Sequence, residues 1–169
     1  MHSPTFELDK LDISLLTAMR ENPRAGELEL SRVVGVARAT VHARTRRMEE
    51  AGVITGYGPD IDLAAAGFAV TAFVTLEIAQ GALTETATEL LSVPGVVEAY
   101  STTGPGDVLC KVAARSHLAL QETLLQLSSL SMVVRSTSIV GLSVVVAPRM
   151  WAPLSSETAP GSPHAPGHR

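Results

Sequence analysis

The segment VGVARATVHARTRRMEEAG, residues 34–52, decides how the N-terminal part of this chain is interpreted. Four arginines and one histidine fall within residues 38–47, and no acidic residue lies among them. The chain as a whole nevertheless carries a formal net charge of −4. A local concentration of positive charge on an acidic chain predicts a local contact with an anionic partner, not general coating of nucleic acid.

Placed on an α-helix, the stretch from about Ala37 to Ala51 separates into two faces. Val41, Thr45 and Met48 share one arc, which predicts burial against neighbouring helices. The opposite arc predicts contact with double-stranded DNA, because small alanines let a helix enter the major groove while arginines bind phosphates or guanine. The predicted DNA-binding residues are Arg38, Ala39, Thr40, His42, Ala43, Arg44, Arg46 and Arg47. The alternative is a solvated basic face on an ordinary surface helix.

Two further helices are predicted before this segment. Apolar residues at helical spacing follow Leu8 and stop at Asn22-Pro23, and a short helix fits Glu27–Val34 with Gly35 ending it. A short helix, a glycine turn and the basic helix form a winged-type helix-turn-helix at about residues 27–46, within a DNA-binding domain of residues 1–57. A short strand is predicted at residues 53–57. Ala37 stands where a helix favours a capping side-chain oxygen.

Alternating strand and helix patterns follow a linker at residues 58–67. The order βαββαβ in residues 68–147 predicts a ferredoxin-like sheet with two helices, so the fold class is α+β. The predicted elements are strands at 68–78, 96–103, 107–114 and 133–146, and helices at 84–91 and 117–130. Residues 148–169 hold five prolines and predict a flexible tail. His164 and His168 in that tail give only a weak indication of a metal site.

Composition narrows the class of protein. Cys110 is the one cysteine, so no disulfide framework forms within the chain, and its mid-strand position predicts core packing. No apolar run reaches the length of a membrane span, and the N-terminus lacks a secretory pattern. We therefore expect a cytoplasmic protein. The sequence shows no nucleophile–base pair, metal-ligand spacing or phosphate loop, so neither catalysis nor a cofactor is expected.

The three N-terminal motifs LDKLDISLL, ELSRVVGV and TVHARTRRMEEAGVITGY resemble the signature of Lrp/AsnC (leucine-responsive, feast/famine) transcriptional regulators. SVPGVVEAYSTTGPGDVLCKV is similar to the central stretch of their ligand-sensing domain, and the resemblance extends over about residues 8–146. Ala37 departs from the Ser or Thr that commonly opens the family's recognition helix. Thr45 replaces an aliphatic residue on the buried side.

The resemblance implies a small amino-acid effector beside the loop of residues 103–107. Its implied effector-binding residues are Gly104, Gly106, Asp107, Ser136 and Ser138. Glycines let backbone amides approach a ligand, and a carboxylate can hold an ammonium group. Pro105 and Gly106 depart from the acid and the aromatic residue that the family often has there. The alternative is a hairpin turn in which Asp107 bonds its own backbone.

Self-association is predicted from burial, because two helices cover only one face of a four-stranded sheet. A homodimer would place two recognition helices on the half-sites of a pseudo-palindromic operator, and the resemblance implies higher homo-oligomers. The leading hypothesis is therefore a sequence-specific transcriptional regulator that binds DNA and an amino-acid effector. Two alternatives are a sirohaem-decarboxylase-like enzyme, whose fold is similar, and a metabolite-binding assembly protein without DNA affinity.

Overall fold

A computed structural model describes residues 6–149 and 151–157, and the chain divides into two compact units. Among the described residues, one unit comprises residues 6–59 together with 148, 149 and 151–157, and the other comprises residues 60–147. The described part of the first unit contains helices α1 (Lys10–Glu21), α2 (Glu27–Val34) and α3 (Arg38–Glu50), joined by a later helix α6 (Ala152–Glu157). The second contains strands and two further helices.

The first three helices begin and end for local reasons. The Asp9 side chain accepts hydrogen bonds from the backbone amides of Leu11 and Asp12, and the Asp12 side chain accepts one from the amide of Asp9. This reciprocal capping box fixes the start of α1. Gly35 ends α2 in the left-handed conformation, at φ 75°, which a residue with a side chain rarely adopts. The turn into α3 therefore depends on this glycine.

The core of the first unit lies between α1, α2 and α3. Val41 and Met48 of α3 are completely buried, as their helical spacing predicts. The buried apolar residues around them are Leu15, Leu16, Ala18 and Leu30. The prediction of a strand at residues 53–57 is wrong. The amides of Val53 and Ile54 both bond to the carbonyl of Met48, so these residues close the end of α3 and pack on the core.

The predicted tail also needs correction where it is described. Residues 152–157 form α6, and Trp151 and Leu154 pack against the core of the helical unit. The Arg20 guanidinium lies 5.3 Å from the centroid of the Trp151 ring. Burial of a large aromatic side chain and this cation–π contact stabilise a segment whose proline content predicts no regular structure. His164 and His168 lie outside the described residues.

The second unit is a βαββαβ fold, as predicted. Its elements are β1 (Val70–Ile78), α4 (Leu83–Leu90), β2 (Val96–Ser101), β3 (Val108–Ala114), α5 (His117–Ser128) and β4 (Val133–Gly141). These strands form one antiparallel sheet in the order β2-β3-β1-β4. Residues 60–67, predicted as linker, belong to this unit.

The helices cover one face of the sheet. The core on that face contains Ala72, Val74, Leu76, Leu90, Val93, Val108, Cys110, Val112, Ala114, Leu120 and Leu127. Strand β4 ends at Gly141, five residues before the predicted end, because β1 is its partner and the pairing Thr71–Gly141 lies close to the start of β1. Leu142, Val144, Val145 and Val146 are consequently exposed.

Candidate nucleic-acid interface and effector loop

Helix α3 begins immediately after Ala37, whose φ of −63° and ψ of 146° are those of a helix N-cap. The carbonyl of Ala37 already accepts the amides of Thr40 and Val41. An alanine has no side-chain oxygen, however, so it leaves the first free amides of α3 without the usual cap. The structure thus places Ala37 at the N-cap, as predicted, without a side-chain cap.

One face of α3 is open to solvent along its length. Arg38, His42 and Arg46 lie one turn apart along it, and the small side chains of Ala39 and Ala43 lie beside them. All five residues are exposed, whereas Thr40, also predicted to contact DNA, is half-buried. This face combines close approach of the backbone with positive charge, which suits the major groove of B-form DNA.

Acidic groups accompany the cations of this face. Glu27, the first residue of α2, accepts a hydrogen bond from Nε of Arg38 at 3.1 Å, and its other oxygen lies 2.7 Å from Nδ1 of His42. Arg46 Nε donates to Glu50 at 2.7 Å within α3. Both the Arg46 and Glu50 side chains are well exposed, so solvent screens this pair and it adds little to stability.

Arg44 and Arg47, which are also predicted to contact DNA, contact α1. Arg44 Nη1 lies 2.5 Å from Asp9 and 2.8 Å from Asp12, and Arg47 Nη2 lies 2.6 Å from Asp12. The Asp12 side chain is fully buried, so it requires these charged partners. The Arg47 guanidinium also stacks on Phe6 at 4.9 Å. Their place in the helix turns both arginines toward the acidic start of α1.

Thr45 lies on the buried side of α3, as predicted, but its hydroxyl has no hydrogen-bond partner among the described residues. It lines an open cleft of about 540 Å³ beside α3, together with Glu49 and Tyr57. The Tyr57 hydroxyl donates to Glu49 at 2.5 Å, and burial, followed by that contact, raises the pKa of Tyr57 to about 12. The aliphatic side chain that the family resemblance leads one to expect at position 45 would avoid the unpaired hydroxyl.

The predicted effector loop packs on β1. The amide of Asp107 donates to the carbonyl of Leu76, and Oδ2 of Asp107 accepts the amide of Ile78 at 2.8 Å. A Cβ on Gly106 would lie 2.2 Å from Cγ2 of Thr75, so position 106 needs glycine for this contact. Gly104 has open space around it. The Asp107 carboxylate therefore bonds the backbone of a neighbouring strand, not its own backbone as the hairpin alternative predicts.

The two serines lie on the other side of β1. Ser136 pairs with Leu76 and Ser138 pairs with Val74, so both belong to the sheet face that the helices cover. The Ser136 hydroxyl lies 2.8 Å from that of Ser128 in α5. An apolar cleft of about 390 Å³ lies instead between α4 and β2. The loop and the serines thus lie around the same stretch of β1. They line neither this cleft nor the cleft beside α3.

Other candidate groups are structural. Cys110 is fully buried, and desolvation raises the pKa of its thiol to about 11, in agreement with core packing. His117 begins α5 on the surface. Among residues 6–149 and 151–157, no cluster of metal-ligating side chains occurs, and no helix is long and apolar enough to cross a membrane.

Sequence reasoning missed three acidic residues that organise α3, namely Asp9, Asp12 and Glu27. A hydrogen bond from Arg44 and the capping bond from the amide of Asp12 lower the pKa of Asp9 to about 2. The same hydrogen bond to Asp9 raises the pKa of Arg44. The Asp-x-x-Asp spacing at residues 9–12 is a usable signal for the capping box, but pairing across helices is not visible in sequence.

The helical unit exposes one face of α3, and the second unit has a sheet that helices cover on one face only. These two features are typical of helix-turn-helix transcriptional regulators. A family model described as a winged helix-turn-helix DNA-binding domain matches residues 8–55, and one described as an Lrp/AsnC ligand binding domain matches residues 71–151. The chain belongs to the Lrp/AsnC family of transcriptional regulators.

Individual relatives agree with this assignment. The regulatory protein AsnC of Escherichia coli is 35% identical over 121 residues, which cover 71% of this chain and 80% of AsnC. The HTH-type transcriptional regulator FL11 of Pyrococcus horikoshii is 32% identical over 109 residues, covering 64% of this chain and 72% of FL11. These relatives are regulators, so the comparisons give the decarboxylase alternative no support.

Solved structures show the same fold. The structure of E. coli AsnC has a TM-score of 0.77 and 28% identity, covering 86% of this chain and 99% of that one. A transcriptional regulator of Neisseria meningitidis, solved as its complex with L-Met, has a TM-score of 0.73 and 25% identity, covering 83% of this chain and 94% of that one. The predicted fold class and family are confirmed.

Proposed function

We propose that this regulator recognises its operator with the exposed face of α3, formed by Arg38, Ala39, His42, Ala43 and Arg46. The observation that carries the proposal is the alternation of outward cations with alanines on a helix that follows a left-handed glycine turn. Arg44 and Arg47 act indirectly, since they hold α3 to α1. We further propose that the protein acts in the cytoplasm and without catalytic activity.

The test uses a DNA duplex selected in vitro from a random library with the unaltered protein. Arg38→Ala and Arg46→Ala should each weaken binding and reduce the dependence of log Kd on log salt by about one counterion for every phosphate that the removed guanidinium bound. Arg24→Ala, an exposed arginine outside this face, is the control. Unchanged affinity and salt slope in both α3 variants would show that the face is merely solvated.

The second unit is proposed to bind a small amino acid at Gly104, Gly106 and Asp107, with Ser136 and Ser138 nearby. The L-Met complex of the Neisseria regulator supports this class of ligand. One oxygen of Asp107 bonds the Ile78 amide, and a carboxylate in this position can also attract an ammonium group. Gly104 is exposed with open space around it, which leaves its backbone accessible to a carboxylate.

Calorimetry with each of the twenty amino acids tests this site. Asp107→Asn keeps an oxygen for the Ile78 amide but removes the charge, so affinity should fall about tenfold to a hundredfold, as expected for a charge-assisted hydrogen bond. Thr102→Val removes a different loop interaction, the bond to the Gly106 carbonyl, and serves as the control. Failure of the unaltered protein to bind any amino acid would retire the effector proposal.

We also propose a homodimer, with higher homo-oligomers, formed through the uncovered face of the sheet. Strand register places Phe73, Leu109, Tyr100 and Ile139 on that face, and Ile139 is 67% exposed. A dimer would match a pseudo-palindromic operator. Ile139→Lys should lower the molar mass measured by sedimentation. Val140→Lys, whose pairing with buried Ala72 places it on the opposite face, should not, and equal masses for both variants would contradict this interface.

A further inference from the structure

A glutamate outside the recognition helix contacts two side chains of that helix's exposed face. The two oxygens of Glu27 bond Arg38 and His42, which lie one turn apart on α3. The Glu27 side chain is 35% exposed, while those of Arg38 and His42 are 67% and 63% exposed. The Glu27 side chain is thus less exposed than the two basic side chains, which remain open toward a partner.

The contact determines which atoms Arg38 presents. Among the described residues, Glu27 is hydrogen-bonded to Nε of Arg38 and to no other nitrogen of that side chain. The two terminal amino groups, Nη1 and Nη2, are left as a planar pair, and such a pair can donate to guanine O6 and N7 together. A free arginine side chain would lose much rotamer freedom on forming that arrangement, whereas a tethered one has already lost part of it.

The contact also determines the tautomer of His42. A carboxylate only accepts hydrogen bonds, so Nδ1 must carry the hydrogen that joins His42 to Glu27. In the neutral ring, Nε2 is then an acceptor directed away from Glu27. An acceptor at this position suits the amino groups of adenine N6 or cytosine N4 in the major groove.

The acidic character of Glu27 argues against a role in general DNA affinity. The hydrogen bonds from His42, and then from Arg38, lower the pKa of Glu27 below its ordinary value, so it is ionised at neutral pH. A negative charge near the phosphate backbone opposes binding to every duplex. Its benefit for a DNA-binding face lies in orienting the donors and acceptors that distinguish one sequence from another.

We propose that Glu27 is a positioning residue for base recognition, which orients Arg38 and His42 through one carboxylate and so increases discrimination between operator and other DNA. This inference rests on the proposed DNA-binding face. It assigns to α2 a part in sequence selection that does not require α2 to touch a base.

The experiment compares two probes, the duplex selected in vitro with the unaltered protein and a random-sequence duplex of equal length. Glu27→Gln should reduce the ratio of the two affinities about tenfold, with binding to the random duplex equal or tighter. Glu29→Gln is the matched control, because it removes an exposed charge from the same first turn of α2. Glu27→Asp keeps the charge but shortens the reach to both partners, so it should also reduce the ratio.

Variants that lack both partners of Glu27 separate the role of Glu27 from the proposed DNA-binding face on which it rests. In a chain that carries Arg38→Ala and His42→Ala, Glu27→Gln should have no further effect on the ratio. An equal loss on both probes, with the ratio unchanged, would make Glu27 a stability residue and overturn the inference. If Arg38→Ala and His42→Ala leave binding to both probes unchanged, the proposed DNA face itself fails. Circular dichroism checks the fold of each variant, and Glu27→Asp decides if Glu27→Gln does not fold.

Discussion

Ala37 leaves the recognition helix without a side-chain cap although its backbone already has N-cap geometry. A serine there can accept a free amide of the first turn without rearrangement, so Ala37→Ser should stabilise the helical unit by about 1 kcal/mol. Thermal unfolding and hydrogen exchange of the α3 amides measure the gain. Ala39→Ser, which places the same hydroxyl two residues later, is the control. No gain, or a loss, of stability in Ala37→Ser would contradict the assignment of Ala37 as an uncapped N-cap.

Thr45 carries a buried hydroxyl without a partner among the described residues. Thr45→Val replaces that hydroxyl by a methyl group of similar size, so the free energy of unfolding should rise by about 1 kcal/mol. Thr86 provides a matched comparison, since it is fully buried but its hydroxyl donates to the Ala82 carbonyl at 2.8 Å. Thr86→Val should therefore give no gain. Equal effects of the two substitutions in urea unfolding would contradict this account.

The carboxylate of Asp9 links helix capping to the pairing with α3. Because its pKa is lowered to about 2 in the folded chain, from an ordinary value of 3.8, the ionised form favours folding. This stabilisation is present above about pH 4 and is lost as the pH falls toward 2. Asp9→Asn should therefore reduce the change of the thermal midpoint of the helical unit with pH across that window. Asp60→Asn, a change at the surface, should leave the slope of the unaltered protein intact, and identical slopes for all three chains would contradict the role of Asp9.

For single residues, the sequence predicts which side chains are buried better than it predicts which side chains form ion pairs. Val41 and Met48 are buried because helical periodicity alone assigns them to one face. The charge of Arg44 and Arg47 predicts exposure on the DNA face, yet both bond Asp12. That pairing joins residues more than thirty positions apart, and no local pattern contains such a contact. The predicted DNA and effector residues themselves remain to be tested.

At the scale of elements, helix and strand order follows directly from hydrophobic periodicity, whereas several ends do not. Helix α2 matches its predicted bounds because Gly35 ends it. The apolar run after Gly141 reads as strand in sequence, but pairing with β1 ends there, and a strand needs a partner for its hydrogen bonds. Similarly, α6 forms in a proline-rich segment because Trp151 packs on the helical core.

The docking of α6 gives a prediction for the element as a whole. Trp151 is the one tryptophan of the chain, it is half-buried, and Arg20 stacks on its ring. Trp151→Ala should destabilise the helical unit by roughly 1–3 kcal/mol, less than for a fully buried ring. Hydrogen exchange in α1 should rise accordingly, while Trp151→Phe should retain most of the protection. Unchanged exchange in the alanine variant would contradict docking of this segment.

At the scale of the whole molecule, the chain combines a unit whose exposed face is basic with a unit whose sheet is covered on one side. Family membership gives this combination its general function, that of a transcriptional regulator with a ligand-binding domain. The proposed contacts with DNA lie on α3. We propose that the face around Ala43 enters the major groove while Arg44 and Arg47 stay with α1.

Site-directed cleavage of DNA shows which face of the helical unit lies against the duplex. An iron chelate attached to Ala43→Cys should cut the selected duplex at a few defined nucleotides, because Ala43 is exposed at the centre of the face. The same chelate at Ser14→Cys, exposed on α1, should cut little, and the unaltered protein should take up no chelate because Cys110 is buried. Strong cutting from Ser14→Cys with none from Ala43→Cys would show that a different face of the unit binds DNA.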